Sequence, residues 1–412
     1  MKPRSHTASI PIVRVQAAAC HLHTAKVHWS QHPIVPHCSP RRRRLRNTLE
    51  GVTVLENVPL APYTTLGVGG PARWLVEAAS EDDLLTAVRF ARAQGVPFFI
   101  LGGGSNLLVG DSGFPGVVVH VAATGSVWTE ESNGFASIVS NAGANWDSVV
   151  QLAVEKNCAG IECLAGIPGS VGGTPVQNIG AYGQEVAETI VQVRAYDLTD
   201  RAFVELDRES CGFGYRRSIF NSTAQGRYIV TAVSYRLRVG GAPTLKYADL
   251  RRYFAERLAA GETPTLSEVY DAVRAIRAAK GMLAENSRSA GSFFKNPIVP
   301  AATVSRLAVI AGCRVDEVPQ FPPGSWVAPA DELVKISAAW LIELAGFRKG
   351  FALGRAGLST KHVLAIVNRG GATASEILAL RDAILDRVHA RTAIRLEQEP
   401  VTLGFPSTNP RH

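Results

Sequence analysis

The sequence predicts an α+β fold built from several small sheets. Three observations carry that reading. Amphipathic helical stretches and short apolar strands alternate without a regular βαβ order. The glycine-rich loops run into extended sequence, not into helices, and no internal repeat is present.

Residues 81–95 place Leu84, Val88 and Ala91 on one helical face and end at Gly95. The apolar run 97–101 and residues 116–121 are strands. Residues 145–157 put Trp146, Val149, Val150, Ala153 and Val154 on one face of a helix. A glycine-rich stretch, 161–183, leads to alternating strands that reach about residue 239. Residues 266–280 are helical with Ser267 as the expected N-cap, and 337–346 form a helix ending on Gly346. Residues 362–368 read as a strand. The stretch 373–390 opens with Thr373 and Glu376 at capping-box spacing and turns Ile377, Ile384 and Val388 inward.

With 412 residues, 46% apolar and 19% charged, the chain is long enough for two or three domains with their own cores. No run of 18 apolar residues exists, so no membrane span is expected. Six scattered cysteines (Cys20, Cys38, Cys158, Cys163, Cys211, Cys313) without Cys-x-x-Cys spacing read as reduced thiols in a cytoplasmic protein. The net charge of +8 lies entirely in residues 1–50, where nine Lys/Arg face one acid, Glu50. The remainder carries 34 residues of each sign, so the body is neutral and no nucleic-acid face is expected. For the basic front end three readings stay open: a disordered arm or mis-assigned start, a targeting segment, and a polyanion-binding arm. Cys20, His21 and His23 lack paired metal-ligand spacing, and no metal site is expected.

Two loops resemble nucleotide-binding turns. Residues 67–72, GVGGPA, fit G-x-G-x-x-A, but the following RWLVEA reads as a strand, which excludes a dinucleotide fingerprint that must open a helix. Residues 101–106, LGGGSN, offer a triple glycine whose amides can converge on a phosphate, with Ser105 and Asn106 as further donors. Residues 165–185 hold six glycines and almost no charge, which suits a wrapped ligand better than a surface loop. The heptapeptide GSFFKNP at 291–297 is equally unusual. Two phenylalanines separate Ser292 from Lys295 and Asn296.

LGGGSNLL, GIPGSVGG, QNIGAYG, FGYRRSIF, AGSFFKNP and LEQE occur in an order that resembles the UDP-N-acetylenolpyruvoylglucosamine reductase family, from about residue 63 to 401. The resemblance implies a two-subdomain FAD-binding domain of the vanillyl-alcohol-oxidase/PCMH type, followed by an α+β substrate-binding domain. The expected divisions are a basic extension at 1–52, FAD subdomains at 53–121 and 122–280, and a substrate domain at 281–397. A terminal strand near 396–405 is expected to return to the first subdomain. The resemblance also implies NADPH as reductant and UDP-N-acetylglucosamine enolpyruvate as substrate. Hydride from flavin N5 reaches one vinyl carbon and a proton the other, a reaction that needs a proton donor and a carboxylate clamp.

Residue by residue, the resemblance implies Ser292 as proton donor, Arg216 as the enolpyruvyl-carboxylate partner, and Glu399 as the C-terminal glutamate, with Glu397 its rival. Gln398 stands where the family has proline, and Arg217 where it has an acid. Tyr215, Tyr247, Lys280 and Asn296 are implied substrate contacts, Tyr247 marking the type I branch. FAD is expected on Gly102, Gly103, Gly104, Ser105, Asn106, Gly143, Ile167, Pro168, Gly169, Ser170, Gly172, Gly173, Asn178, Gly180, Ala181 and Ile229. A flavin oxidase with a tethered cofactor is the rival enzyme, but these stretches hold only His120, inside a strand, so FAD is expected to be non-covalent. A non-enzymatic nucleotide or nucleic-acid binder using the basic arm is the third reading, disfavoured by the neutral body. A monomer is expected.

Overall fold

Strand Pro71–Ala78 sends Trp74, Val76 and Ala78 to one face and Leu75 to the other, and so lies between two cores. It is the centre of a five-stranded sheet ordered Arg46–Leu49, Val52–Pro59, Pro71–Ala78, Phe114–Val121, Phe98–Leu101. The first three strands pair antiparallel and the last two join in parallel. The computed structural model describes residues 46–283, 285, 287–322 and 333–405, and the readings of the basic front end and of Cys20, His21, His23 and Cys38 lie outside them. Helix Glu81–Ala93 lies against this sheet with Leu84, Val88 and Ala91 buried, as the sequence predicts. Ser80 caps it, and Glu81, Asp82 and Asp83 in its first turn suit the positive end of the helix dipole.

A second, antiparallel sheet is ordered Ala202–Asp207, Ile190–Asp197, Tyr228–Val239, Phe135–Asn141, Ser126–Glu130. Helix Trp146–Glu155 buries Trp146, Val149, Val150 and Ala153, and packs with helix Leu266–Ala279. One apolar core runs through both sheets. Arg194 of the second sheet grips Glu81 of helix Glu81–Ala93 with two hydrogen bonds of 2.9 and 3.1 Å.

Beyond residue 290 the chain builds two three-stranded sheets, Ile298–Pro300/Leu333–Ile336/Gln320–Phe321 and Ala352–Leu353/Ala356–Leu358/Ile366–Asn368. Helices Ala302–Ala311, Ala338–Leu344 and Ala374–Thr392 pack with them around a separate core that also takes in Leu66, Val68 and Leu108. Strand Val401–Leu403 then returns to pair in parallel with Leu107–Val109. That return is what carries residue 399 back to the glycine loop at 102–106.

Two local expectations need correction. The cap of helix Leu266–Ala279 is Thr265, not Ser267. Thr265 has extended backbone, accepts from the Glu268 amide and receives the Glu268 side chain in return. The strand expected at 362–368 is confined to Ile366–Asn368, because the His362 ring takes the Leu364 amide and its carbonyl the Ala365 amide, which makes a turn there. The Thr373–Glu376 capping box forms as expected on helix Ala374–Thr392.

Asp111, from the loop between strands Leu107–Val109 and Phe114–Val121, closes the same helix end. Its carboxylate accepts from the amides of Ala374 (2.7 Å) and Ser375 (3.0 Å) and from the Ser375 hydroxyl (2.7 Å). Asp111→Ala is expected to destabilise the protein by about 1–2 kcal/mol, read as a lower urea midpoint. An unchanged midpoint would show that the cap contributes nothing.

Candidate active site

The loop after strand Phe98–Leu101 meets the loop that leads into the turn at Val171–Gly173. The Gly103 amide donates to Ser170 Oγ (3.3 Å), and a Cβ on Gly102 would lie 2.4 Å from that oxygen. A Cβ on Gly103 would strike Gly169 Cα at 2.7 Å, and one on Gly169 would lie 2.8 Å from Ser105 Oγ. Gly104 has φ +59°, and its Cβ would fall 1.9 Å from the Tyr63 carbonyl oxygen. Only glycines permit this approach. Among the described residues, the amides of Gly104, Ser105, Asn106, Gly169 and Ser170 donate to no protein acceptor. Five unspent amides on two facing loops form a nest suited to a diphosphate, so the residues present fit FAD.

The other expected cofactor residues divide. Ile167 and Pro168 sit half-buried at the rim, and Gly173 is exposed with open space where a Cβ would go. Gly143 and Gly172 are needed for backbone packing, against Val121 and Ala123 carbonyls and against Ala142. Gly180 and Ala181 pair with Glu185 and Gln184. Ile229 is buried in the second sheet. The buried Asn178 spends its side chain on the protein: it donates to Glu185 (2.9 Å) and the Gly214 carbonyl (3.0 Å), and accepts from the Ala187 amide (3.1 Å).

Beyond this cradle, Arg216 and Glu399 meet although 183 positions separate them in the sequence. Arg216 Nε lies 3.2 Å from Glu399 Oε1, with the side chains 19% and 13% exposed. The guanidinium also donates to the Gly180 carbonyl (2.7 Å) and the Asn178 carbonyl (3.4 Å). Burial works against the Arg216 charge, but Glu399, Tyr215 and Glu185 outweigh it and hold its pKa above the ordinary value. For Glu399 burial dominates. Its carboxyl pKa is raised although Arg216 and Lys295 pull it down. Arg216 has φ +53°, a left-handed conformation that costs an L-residue about 1–2 kcal/mol. Arg217 beside it is exposed.

Ser292 is half-buried immediately before the buried pair Phe293–Phe294. The Phe293 amide donates to the Leu364 carbonyl (2.8 Å), and the Glu399 amide donates to the Phe293 carbonyl (3.0 Å). The Ser292 and Glu399 segments are therefore backbone neighbours. Asn106 reaches the same place, donating to the Glu399 carbonyl (3.2 Å) and to Gln177 (2.7 Å). Gln398 accepts from Arg381 (2.9 Å) and donates to the Pro400 carbonyl (2.5 Å), which tethers the turn. Glu397 points elsewhere, to Lys295 at 2.5 Å, which separates it from Arg216.

Asn296 Oδ1 accepts from the Ala338 amide (2.8 Å) and so anchors a helix start. Lys280 pairs with Asp249 (2.6 Å) and stands 5.7 Å from the Tyr182 ring, against which Tyr247 packs edge-on. Sequence reading missed Lys335. Its Nζ lies 4.7 Å over the Tyr215 ring, and burial first, then Arg216, lowers its pKa against the pull of Glu185. Its only sequence signal is a lone lysine in the strand Leu333–Ile336, which carries no pattern.

An FAD-binding-domain family profile matches residues 72–203, the span of both glycine loops. The protein is therefore an FAD-containing oxidoreductase. A second profile, for the C-terminal domain of UDP-N-acetylenolpyruvoylglucosamine reductase, matches residues 283–403. The reductase of that name from Thermobifida fusca is 44% identical over 358 residues, covering 84% of this chain and 97% of that protein. The one from Nocardia farcinica is 46% identical over 368 residues, 86% of this chain and 91% of that protein. The crystal structure of UDP-N-acetylenolpyruvylglucosamine reductase from Thermus caldophilus superimposes with a TM-score of 0.55 at 28% identity, over 87% of this chain and all of that one. The chain belongs to the UDP-N-acetylenolpyruvoylglucosamine reductase family.

The close approach at Gly104 can be tested. Gly104→Ala is expected to destabilise the cradle by more than about 1 kcal/mol and to leave the purified protein short of flavin. Flavin-to-protein absorbance ratio and thermal midpoint read both. Wild-type flavin content in the variant would mean that the close approach at Gly104 does not shape the cradle.

Proposed function

We propose that this protein reduces UDP-N-acetylglucosamine enolpyruvate to UDP-N-acetylmuramate in peptidoglycan precursor synthesis, with NADPH as reductant, acting in the cytoplasm as a monomer. The observation that carries the reading is the junction of Arg216 with Glu399 beside the Ser292 segment and next to the Asn106 end of the amide nest. In this reading residues 53–121 and 122–280 hold FAD, and 281–397 bind substrate. Among the described residues no helix is long and apolar enough to cross a membrane.

Bound FAD supplies the hydride for the vinyl group. The chain's own residues do the rest. Arg216 offers a fixed fork to the enolpyruvyl carboxylate and stabilises the negative charge that develops there. The Ser292 hydroxyl delivers the proton to the other vinyl carbon. The Phe293–Phe294 pair behind it is fully buried and keeps that end of the segment dry and fixed. Glu399, with its raised pKa, retains its own proton to higher pH than an ordinary carboxyl and orients or replenishes the serine proton.

Tyr215 and Lys335 line the same turn, and Asn296 and Lys295 extend it. Lys280 belongs to a second group of cations. Burial first, and then Lys280 and Lys349, push the His362 pKa down to about 4, and in this reading the lysines are the cations offered to the diphosphate. Asp249 holds Lys280 in this structure, so phosphate binding there exchanges one anion for another and frees the segment bearing Tyr247.

Stopped-flow spectroscopy separates the two half-reactions. Ser292→Ala is expected to leave flavin reduction by NADPH nearly intact and to slow reoxidation by the enolpyruvyl substrate by about 10²–10⁴-fold. Equal loss in both would make Ser292 structural. Arg216→Lys is expected to slow reoxidation roughly 10²-fold, since one ammonium cannot copy the fork. A kinetically silent Arg216→Lys would remove the carboxylate assignment.

The pH dependence follows from the sign of the Glu399 shift. A carboxyl with raised pKa is protonated below that value. Reoxidation that needs the proton therefore falls as pH rises through it. Glu399→Gln is expected to abolish that descending limb. Its persistence in the variant would assign the limb to another group.

A further inference from the structure

We infer that Asn221 is a positioning residue for Arg216: its side chain holds the backbone turn that aims the guanidinium at Glu399. This rests on the roles proposed above for Arg216 and Glu399.

Gly214 and Arg217 close a two-residue turn with reciprocal hydrogen bonds of 2.8 and 3.1 Å, which leaves Tyr215 and Arg216 at its tip. Tight turns of this kind call for positive φ, normally met by glycine, asparagine or aspartate. Here Arg216 meets it at φ +53°. Arginine has no short polar group to stabilise that conformation locally, so the surroundings must impose it.

Two asparagines grip two carbonyls of the turn, those of Gly214 and Arg216. Asn178 donates to the Gly214 oxygen (3.0 Å) from one side, and Asn221 donates to the Arg216 oxygen (3.1 Å) from the other. Asn221 is itself fixed, because its Oδ1 accepts from the Ser218 amide (2.9 Å). The buried Ser218 is in turn tied to the Val176 carbonyl (2.6 Å). The direction of the Arg216 side chain at Cα depends on φ. Relaxation to negative φ swings Cβ away and breaks the contacts to the Gly180 carbonyl and to Glu399 together. Asn178 also touches Glu185 and belongs to the expected flavin-binding set. Asn221 acts on Arg216 through the backbone alone, which makes it the cleaner probe.

Asn221→Asp separates the two halves of the device. It keeps an acceptor for the Ser218 amide and loses the donor to Arg216, whereas Asn221→Ala loses both. The flavin-loaded protein would be tested for binding of UDP-N-acetylglucosamine enolpyruvate by calorimetry in the oxidised state, and for the pH profile of flavin reoxidation. Both variants are expected to bind the substrate and reoxidise about 10- to 100-fold less well, with reduction by NADPH unchanged. The descending limb assigned to Glu399 is expected to move to higher pH, because the withdrawn guanidinium no longer lowers that pKa. A merely structural Asn221 would lower the thermal midpoint without moving the limb, and that result overturns the inference. So does Asn221→Asp with wild-type affinity and limb while Arg216→Lys is impaired. If Arg216→Lys is silent as well, the underlying assignment fails instead.

Discussion

A nearly dry ion pair, Arg216 with Glu399, sets the requirements that the surrounding chain meets. Two charges that are 19% and 13% exposed lose most of their hydration, and their attraction offsets that loss only if the remaining polar groups are also satisfied. The structure meets this from several directions. Carbonyls of residues 178 and 180 take the outer guanidinium nitrogens, and the backbone of Glu399 is bonded to Phe293 and Asn106. Stretches far apart in the chain must therefore converge on one point. The parallel pairing of the last strand with Leu107–Val109 is the step that brings the final stretch there.

Charge is arranged on the same principle throughout the site. The body of the chain has no net charge, and the cations Arg216, Lys335, Lys295 and Lys280 do not stand alone. Each is matched: Arg216 with Glu399, Lys295 with Glu397, Lys280 with Asp249, and Lys335 with the face of Tyr215. An anionic ligand entering here competes with carboxylates already in place. Its binding strength therefore depends on how easily Glu397, which is exposed, and Asp249, which is half-buried on the short helix Ala248–Tyr253, are displaced.

Much of the framework was legible because it follows from local chemistry. The Thr373–Glu376 box, the Leu84–Val88–Ala91 face and the strand after GVGGPA need only neighbouring residues to form, and they form as expected. The misses are equally local in cause. Thr265 and Ser267 both resemble caps, and only the backbone angle at Thr265 decides between them. The run at 362–368 is apolar from Val363 to Val367 like a buried strand, but the His362 ring takes an amide that a ladder would need. Lys335 carried no signal, since one lysine in a strand looks like any solvated lysine.

The sequence by itself determined which segments are helices and strands, where glycine is obligatory, and which residue types bear the chemistry. Those properties are set by periodicity, turn stereochemistry and functional groups within a few residues. Tertiary structure alone decided which of Glu397 and Glu399 meets Arg216, that Asn178 and Asn221 clamp a left-handed arginine, and that Lys280 is held by Asp249. Such choices depend on distances between parts of the chain that have no fixed relation until the three cores close. The burial that raises the Glu399 pKa is a property of that closure, and no stretch of sequence contains it.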